Sequence, residues 1–170
     1  MNRVATAFLS IALFLPLIQQ KACEPKGPQG GAGAPGSSEM DPVAAERAVR
    51  QELEKFRVAV ESKMARSVMR EIDPTRLNAA PAFEDQLTQF FAATSELRLF
   101  FRAANVQVRA AEGAGKPASA VAQVDAQMSY SLKSNPAQTL QKSAQLTFEL
   151  IFTDRGWLYA RIEPAGFFAP

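Results

Sequence analysis

What this 170-residue chain lacks narrows its chemistry first: it holds no histidine and a single cysteine, Cys23. Without histidine there is no usual transition-metal ligand, no usual general base near neutral pH and no Ser-His or Cys-His nucleophile pair. One thiol makes neither an internal disulfide nor a cysteine-rich metal site. No cofactor or metal is expected. The stretch Gly31-Ala32-Gly33-Ala34-Pro35-Gly36 matches G-x-G-x-x-G literally. That fingerprint works only at a strand-to-helix turn, where glycines let backbone amides approach a pyrophosphate. No strand signal precedes it and Pro35 sits inside it, so the match reflects composition.

The first 23 residues read as a signal segment. Met1 to Arg3 give a short basic start, and an apolar run follows from Val4 to Ile18. Such a run suits a signal h-region, whereas a bilayer span needs about 20 residues. Cys23 closes the leader and resembles the lipid-accepting cysteine of a bacterial lipobox, although of Gln20, Lys21 and Ala22 only Ala22 has the small side chain that pattern uses. The expectation is export to the bacterial envelope, with the membrane reached through a lipidated Cys23 or an uncleaved leader. Residues 24–40 (EPKGPQGGAGAPGSSEM) hold too little apolar surface to order themselves and read as a Gly/Pro/Ser-rich tether. With Arg3 and Lys21 set aside, the remaining basic residues equal the 17 acidic ones in number. A domain near neutrality has no electrostatic case for nucleic acid, whose binding displaces counterions with a net basic surface.

Residues 41–170 then form one domain. Asp41-Pro42 is a helix start, an N-cap carboxylate before proline at the first helical position. Val49, Leu53, Phe56, Val60 and Met64 recur on one helical face. Arg50, Glu54, Arg57 and Glu61 fill the other, with Arg50–Glu54 and Arg57–Glu61 at pairing distance. A short helix is expected over Ala65 to Ile72. A third begins near Pro81, with Glu84 and Asp85 in its first turn and Phe83, Leu87, Phe90 and Phe91 buried. After Ser95 the period switches to two. A strand over Leu97 to Arg109, bent at Ala103-Ala104, leads through a turn at Glu112 to Pro117 into a second. There Ala122, Val124, Ala126, Met128, Tyr130 and Leu132 face inward. A turn over Ser134 to Thr139 precedes a third strand with Ala144, Leu146, Phe148, Leu150 and Phe152 inward. The hairpin Thr153-Asp154-Arg155-Gly156 leads to a last strand with Leu158, Ala160 and Ile162 inward. Helices followed by strands with one apolar face imply an α+β fold, N-terminal helices packed on an antiparallel sheet.

This order, ending in the run FELIFTDRGWLYARIEP, resembles the nuclear transport factor 2-like superfamily, with Gly156, Trp157, Leu158, Ala160 and Ile162 matching its usual last strand. The resemblance implies a curved sheet wrapped around helices to make a cone. Enzymatic relatives abstract a proton beside a carbonyl, which needs a buried carboxylate and an oxyanion donor. Here Asp125 and Glu149 fall on the outer face, Glu84 and Asp85 are helix-dipole partners, and Tyr130 points inward as a donor. The histidine-dependent dehydratase chemistry of some relatives has no residue to carry it. Met128, Tyr130, Phe148 and Phe152 are the candidates to line a pocket for a small apolar ligand. Trp157, Tyr159 and Arg161 are the candidates for an interface on the outer sheet face, with a second copy or an envelope protein as partner. The reading is a non-catalytic ligand-binding or assembly module, with a cofactor-free isomerase or cyclase as the alternative.

Overall fold

Asp41 opens the first helix by accepting a hydrogen bond from the Val43 amide at 3.0 Å, with Pro42 seated in the first turn. The computed structural model describes residues 41–111 and 118–169. The expected signal segment, tether and turn at 112–117, together with Cys23, therefore lie outside the described residues. Helix α1 (Pro42–Glu61) buries Val49, Leu53, Phe56 and Val60 along the expected stripe, while Met64 lies beyond its end and is exposed. On its polar face Arg57 bridges Glu54 and Glu61, but Arg50 reaches back to Glu46 (2.8 Å) rather than forward to Glu54.

Lys63 takes a left-handed conformation (φ 55°) and turns the chain into α2 (Ala65–Arg70). Helix α3 (Ala80–Ala93) buries Phe83, Leu87, Phe90 and Phe91. It begins early enough that Glu84 and Asp85 fall after its first turn, so they are not partners of its N-terminal dipole.

Four strands follow in sequence order as an antiparallel meander: β1 (Thr94–Arg109), β2 (Ser119–Leu132), β3 (Asn135–Thr153) and β4 (Gly156–Glu163). The β2–β3 turn is confined to Lys133 and Ser134, tighter than the expected Ser134 to Thr139. The β3–β4 hairpin is as expected, with Gly156 at φ 97°, a conformation that side chains with a Cβ resist.

Each edge strand breaks register with its neighbour: β1 between Thr94 and Glu96 and again after Arg102, and β4 once. In β1 the register passes from Arg102↔Asp125 to Asn105↔Gln123, so Ala103 and Ala104 stand against Val124 alone. Parity changes there: Leu97, Leu99 and Phe101 pack inward before the bulge, and Val106 and Val108 after it. In β4 the register passes from Glu149↔Arg161 to Leu150↔Tyr159, leaving Ala160 unpaired. Bulges bend their strand and increase its twist, which curves the sheet around the helices. The free edge of β4 is covered by the segment after α2: Tyr159 donates its amide to the Glu71 carbonyl and accepts from the Asp73 amide, each at 2.9 Å.

A 3-10 turn, Ala165–Phe168, follows β4 after Pro164, in a segment where the sequence shows no period. It sends Phe167 and Phe168 into the core, at 5% and 0% exposure.

Candidate functional site

The inner face of the cone is where a pocket would have to be. Phe56 of α1 meets Phe148 of β3 at 5.5 Å and Tyr159 of β4 at 5.0 Å, and Phe148 meets Tyr159 at 5.4 Å. Phe168 closes on Phe56 at 5.7 Å and on Phe83 at 6.2 Å. Edge-on aromatic pairs at these separations are close packing. Of the four pocket-lining candidates, Met128, Tyr130 and Phe148 are brought into this interior, but they are buried among core side chains and line none of the recesses described below. Phe152 corrects the expectation differently. It shares their face but lies at the end of the sheet, 41% exposed, with its ring against Trp157.

Two of the three interface candidates are also corrected. Trp157 and Tyr159 are buried on the inner face, and only Arg161 points outward. The bulge at Ala160 is the cause, because a slip of one residue moves every side chain beyond it to the other face. Arg161 engages Glu163 at 2.6 Å and Glu149 at 3.6 Å. The outward aromatic is instead Phe100 of β1, 52% exposed and flanked on the same face by exposed Arg98 and Arg102.

Tyr159 is the most unusual polar group. Its hydroxyl is fully buried and is the one buried side-chain polar atom without a hydrogen-bond partner among the described residues. Burial pushes its ionisation far above the ordinary tyrosine range, and the negative charges of Glu52 and Glu71 push it further. An acid-base site would set a carboxylate against that hydroxyl. Glu52 and Glu71 act on it by charge, but neither accepts a hydrogen bond from it. Asp125 lies opposite Gln145 on the exposed outer face, and Glu149 is paired with Arg161.

Tyr130 packs on Phe90 at 5.3 Å, and the Lys142 ammonium stands 5.8 Å above its ring. Lys142 donates a hydrogen bond to the Ala169 carbonyl, and partial burial pulls its ionisation below the ordinary lysine range. Recesses mark the surface of the described residues in several places. One of about 530 Å³ lies along the outer part of β4, between Arg76, Asn78 and Arg161. One of about 490 Å³ lies between α1 and α2, beside Val58 and Met64. One of about 620 Å³ lies between α2 and α3, beside Arg70 and Glu84. None of them is lined by Met128, Tyr130, Phe148 or Tyr159.

With this geometry in hand, solved structures identify the architecture. A nuclear transport factor 2-like superfamily protein of Salmonella enterica superposes with a TM-score of 0.61 at 10% identity, over 71% of this chain and 89% of that one. The chain has the nuclear transport factor 2-like fold. A Novosphingobium aromaticivorans protein provisionally named an aromatic ring hydroxylase gives 0.58 at 16% identity, over 72% and 89% of the two chains. Another from that organism, provisionally named a scytalone dehydratase, gives 0.59 at 8% identity, over 71% and 82%. At these identities the likeness concerns the fold alone, which hosts unrelated activities. No protein-family profile and no curated protein matches the sequence.

The residues that sequence reasoning missed are Phe100, Lys142, Phe167 and Phe168. Phe100 alternates with the inward Leu99 and Phe101, a spacing of two that the expected strand over Leu97 to Arg109 contains. Phe167 and Phe168 follow Pro164 in a segment too short to show a period.

Proposed function

We propose that this domain is a non-catalytic interaction module, held at the bacterial envelope by its N-terminal segment, which docks a protein partner through the outer face of its sheet. The filled cone supports this reading most. Phe56, Phe148, Tyr159 and Phe168 occupy the space a substrate would need, each fully buried. Outside, Phe100 between Arg98 and Arg102 offers the pairing of aromatic and guanidinium groups that is enriched at interface hot spots. A photocrosslinking side chain placed at position 100 of the full-length protein in its native envelope tests this. Adducts from position 100 and none from Gln51, on the exposed face of α1, are the expected result. Equal capture from both positions, or none from either, would overturn the docking face. Tethering is tested separately: Cys23→Ser is expected to move the protein from the membrane fraction to the soluble envelope fraction.

The alternative, a cofactor-free isomerase or cyclase, is favoured by one observation, the unpartnered Tyr159 hydroxyl. Its requirement is a carboxylate that reaches this hydroxyl or Tyr130 in a substrate-bound state. Solved structures with provisional enzyme names share the fold, which by itself assigns no acid to these positions.

A further inference from the structure

Met64 stands 56% exposed at the head of α2, and the fold holds it there. The left-handed Lys63 breaks the path of the chain just before it, and the Lys63 ammonium is tied to the Thr94 and Ser95 carbonyls of β1. A recess of about 490 Å³ on the α1 side and one of about 620 Å³ on the α3 side both reach Met64, so α2 forms a ridge between two grooves. Val58, 51% exposed, lines the first groove, and the two apolar side chains thus share one surface instead of lying scattered. Cations border that surface. Arg66 and Arg70, one turn apart on α2, are exposed, and no ion pair among the described residues involves either. Arg155 of the β3–β4 hairpin, also exposed, donates to the Arg70 carbonyl at 3.0 Å and adds a third guanidinium. Of the acids lining the two grooves, Glu54 is held by Arg57, and Glu71 and Glu84 are half-buried in the walls.

We propose that this ridge, Met64 with Arg66 and Arg70, rests on the anionic headgroup surface of a bilayer. The layers of a membrane interface match its parts. The Met64 side chain enters the boundary between headgroups and acyl chains, and the guanidiniums pair with phosphate oxygens above it. The grooves on either side give headgroups room beside the crest. A folded protein partner would need a surface shaped to a ridge and two grooves, whereas a bilayer deforms around a narrow apolar crest with cationic flanks. The charge argues for an anionic leaflet in particular. Each basic side chain near such a surface strengthens association about fivefold, and in a domain close to neutrality a local cluster orients the molecule instead of attracting it from all sides. The helices cover the inner face of the sheet, so the ridge lies on the opposite side of the molecule from Phe100. Docking on the membrane therefore leaves the outer sheet face open. This goes beyond the docking role of that face, and it needs neither that role nor the tether.

The test uses the full-length protein carrying Cys23→Ser and Met64→Cys, with a nitroxide label on the single remaining thiol. It is mixed with vesicles of phosphatidylglycerol and, separately, of phosphatidylcholine. The depth of the label is read from its collisions with oxygen, which enters the bilayer, and with a nickel chelate, which stays in water. On phosphatidylglycerol the label at position 64 is expected to be shielded from nickel and reached by oxygen. On phosphatidylcholine it should remain in water. The same label introduced by Gln145→Cys, on the exposed outer face of β3, is expected to stay in water on both. Adding Arg66→Glu/Arg70→Glu should return the label at position 64 to water. A label at 64 that never leaves water, that enters both lipids equally or that stays inserted after the charge reversal overturns the proposal. Should the charge-reversed protein not fold, Arg66→Gln/Arg70→Gln is measured instead, with the same outcomes deciding. Because Cys23 is absent throughout, a failure here leaves the tethering reading standing, and a failed tether leaves this result intact.

Discussion

Glu61, the last residue of α1, accepts a hydrogen bond from the Leu99 amide of β1 at 2.8 Å. Two residues later Lys63 reaches the carbonyls of Ser95 (2.7 Å) and Thr94 (3.3 Å). The end of one helix thus occupies backbone groups along the start of a sheet edge, where unpaired donors and acceptors invite association with another strand. Glu61→Ala removes the acceptor of a part-buried amide and one of the two partners of Arg57, and is expected to cost about 1–3 kcal/mol in urea unfolding. Glu61→Gln keeps an acceptor oxygen and should lose less. Combined with Lys63→Ala, the alanine variant should also self-associate more readily in sedimentation velocity. Equal stability of the alanine and glutamine variants would show that the contact to Leu99 contributes nothing.

Asp41 caps α1 through a bond to the Val43 amide. Asp41→Ala leaves that amide to water and should cost about 1 kcal/mol, read as a lower urea midpoint with an unchanged slope. Asp41→Asn, which retains a side-chain acceptor, is expected to restore most of the loss.

Those elements were legible because their periods are unbroken. The apolar stripe from Val49 to Val60 needs only helical spacing, and Ala122 to Tyr130 alternates without interruption, so both faces could be assigned from residue type. The failures sit where one residue changes phase. Nothing in Leu158-Tyr159-Ala160 announces that Ala160 will lie outside the ladder. Both Trp157 and Tyr159 fit an outward face chemically, since each carries a polar atom. What fixes the bulge is tertiary: the Glu71 carbonyl and Asp73 amide clasp Tyr159 from the far edge. The β2–β3 turn was misplaced because Asn135 to Thr139 is polar and exposed, and so carries no alternation to read. The candidate pocket failed for a different reason. Inward residues look alike whether they line a cavity or fill it, and here Phe167 and Phe168, far along the chain, decide that they fill it.

Trp157 is the sole tryptophan, so its emission reports one location. Its ring meets Phe152 at 5.4 Å, and Phe152 is the exposed partner of the two. Phe152→Ala opens the end of the sheet over Trp157 and removes an edge-on aromatic contact worth about 0.5–1.5 kcal/mol beyond the area it buries. The emission maximum is expected to shift to the red with the fold retained in far-ultraviolet circular dichroism. An unshifted maximum would mean that Trp157 is sheltered by neighbours other than Phe152.

Tyr159 offers a test of whether its hydroxyl serves any purpose in the resting fold. A buried hydroxyl without a partner loses its hydration and gains nothing in return. Tyr159→Phe should therefore leave stability unchanged or raise it by up to about 2 kcal/mol. The pH dependence has a definite sign. The unfolded chain releases the tyrosine proton near its ordinary value of 10.0, whereas the folded protein holds it well above that. Above that pH the native state binds more protons than the unfolded one, so wild-type stability falls as pH rises. Phenylalanine has no proton to lose, and the advantage of Tyr159→Phe should widen between about pH 8 and about pH 10.5 in paired urea titrations. A variant less stable than the wild type at pH 8 would instead reveal a hydrogen bond to this hydroxyl. The cone would then hold a polar guest or a carboxylate in reach, which is what the catalytic alternative requires.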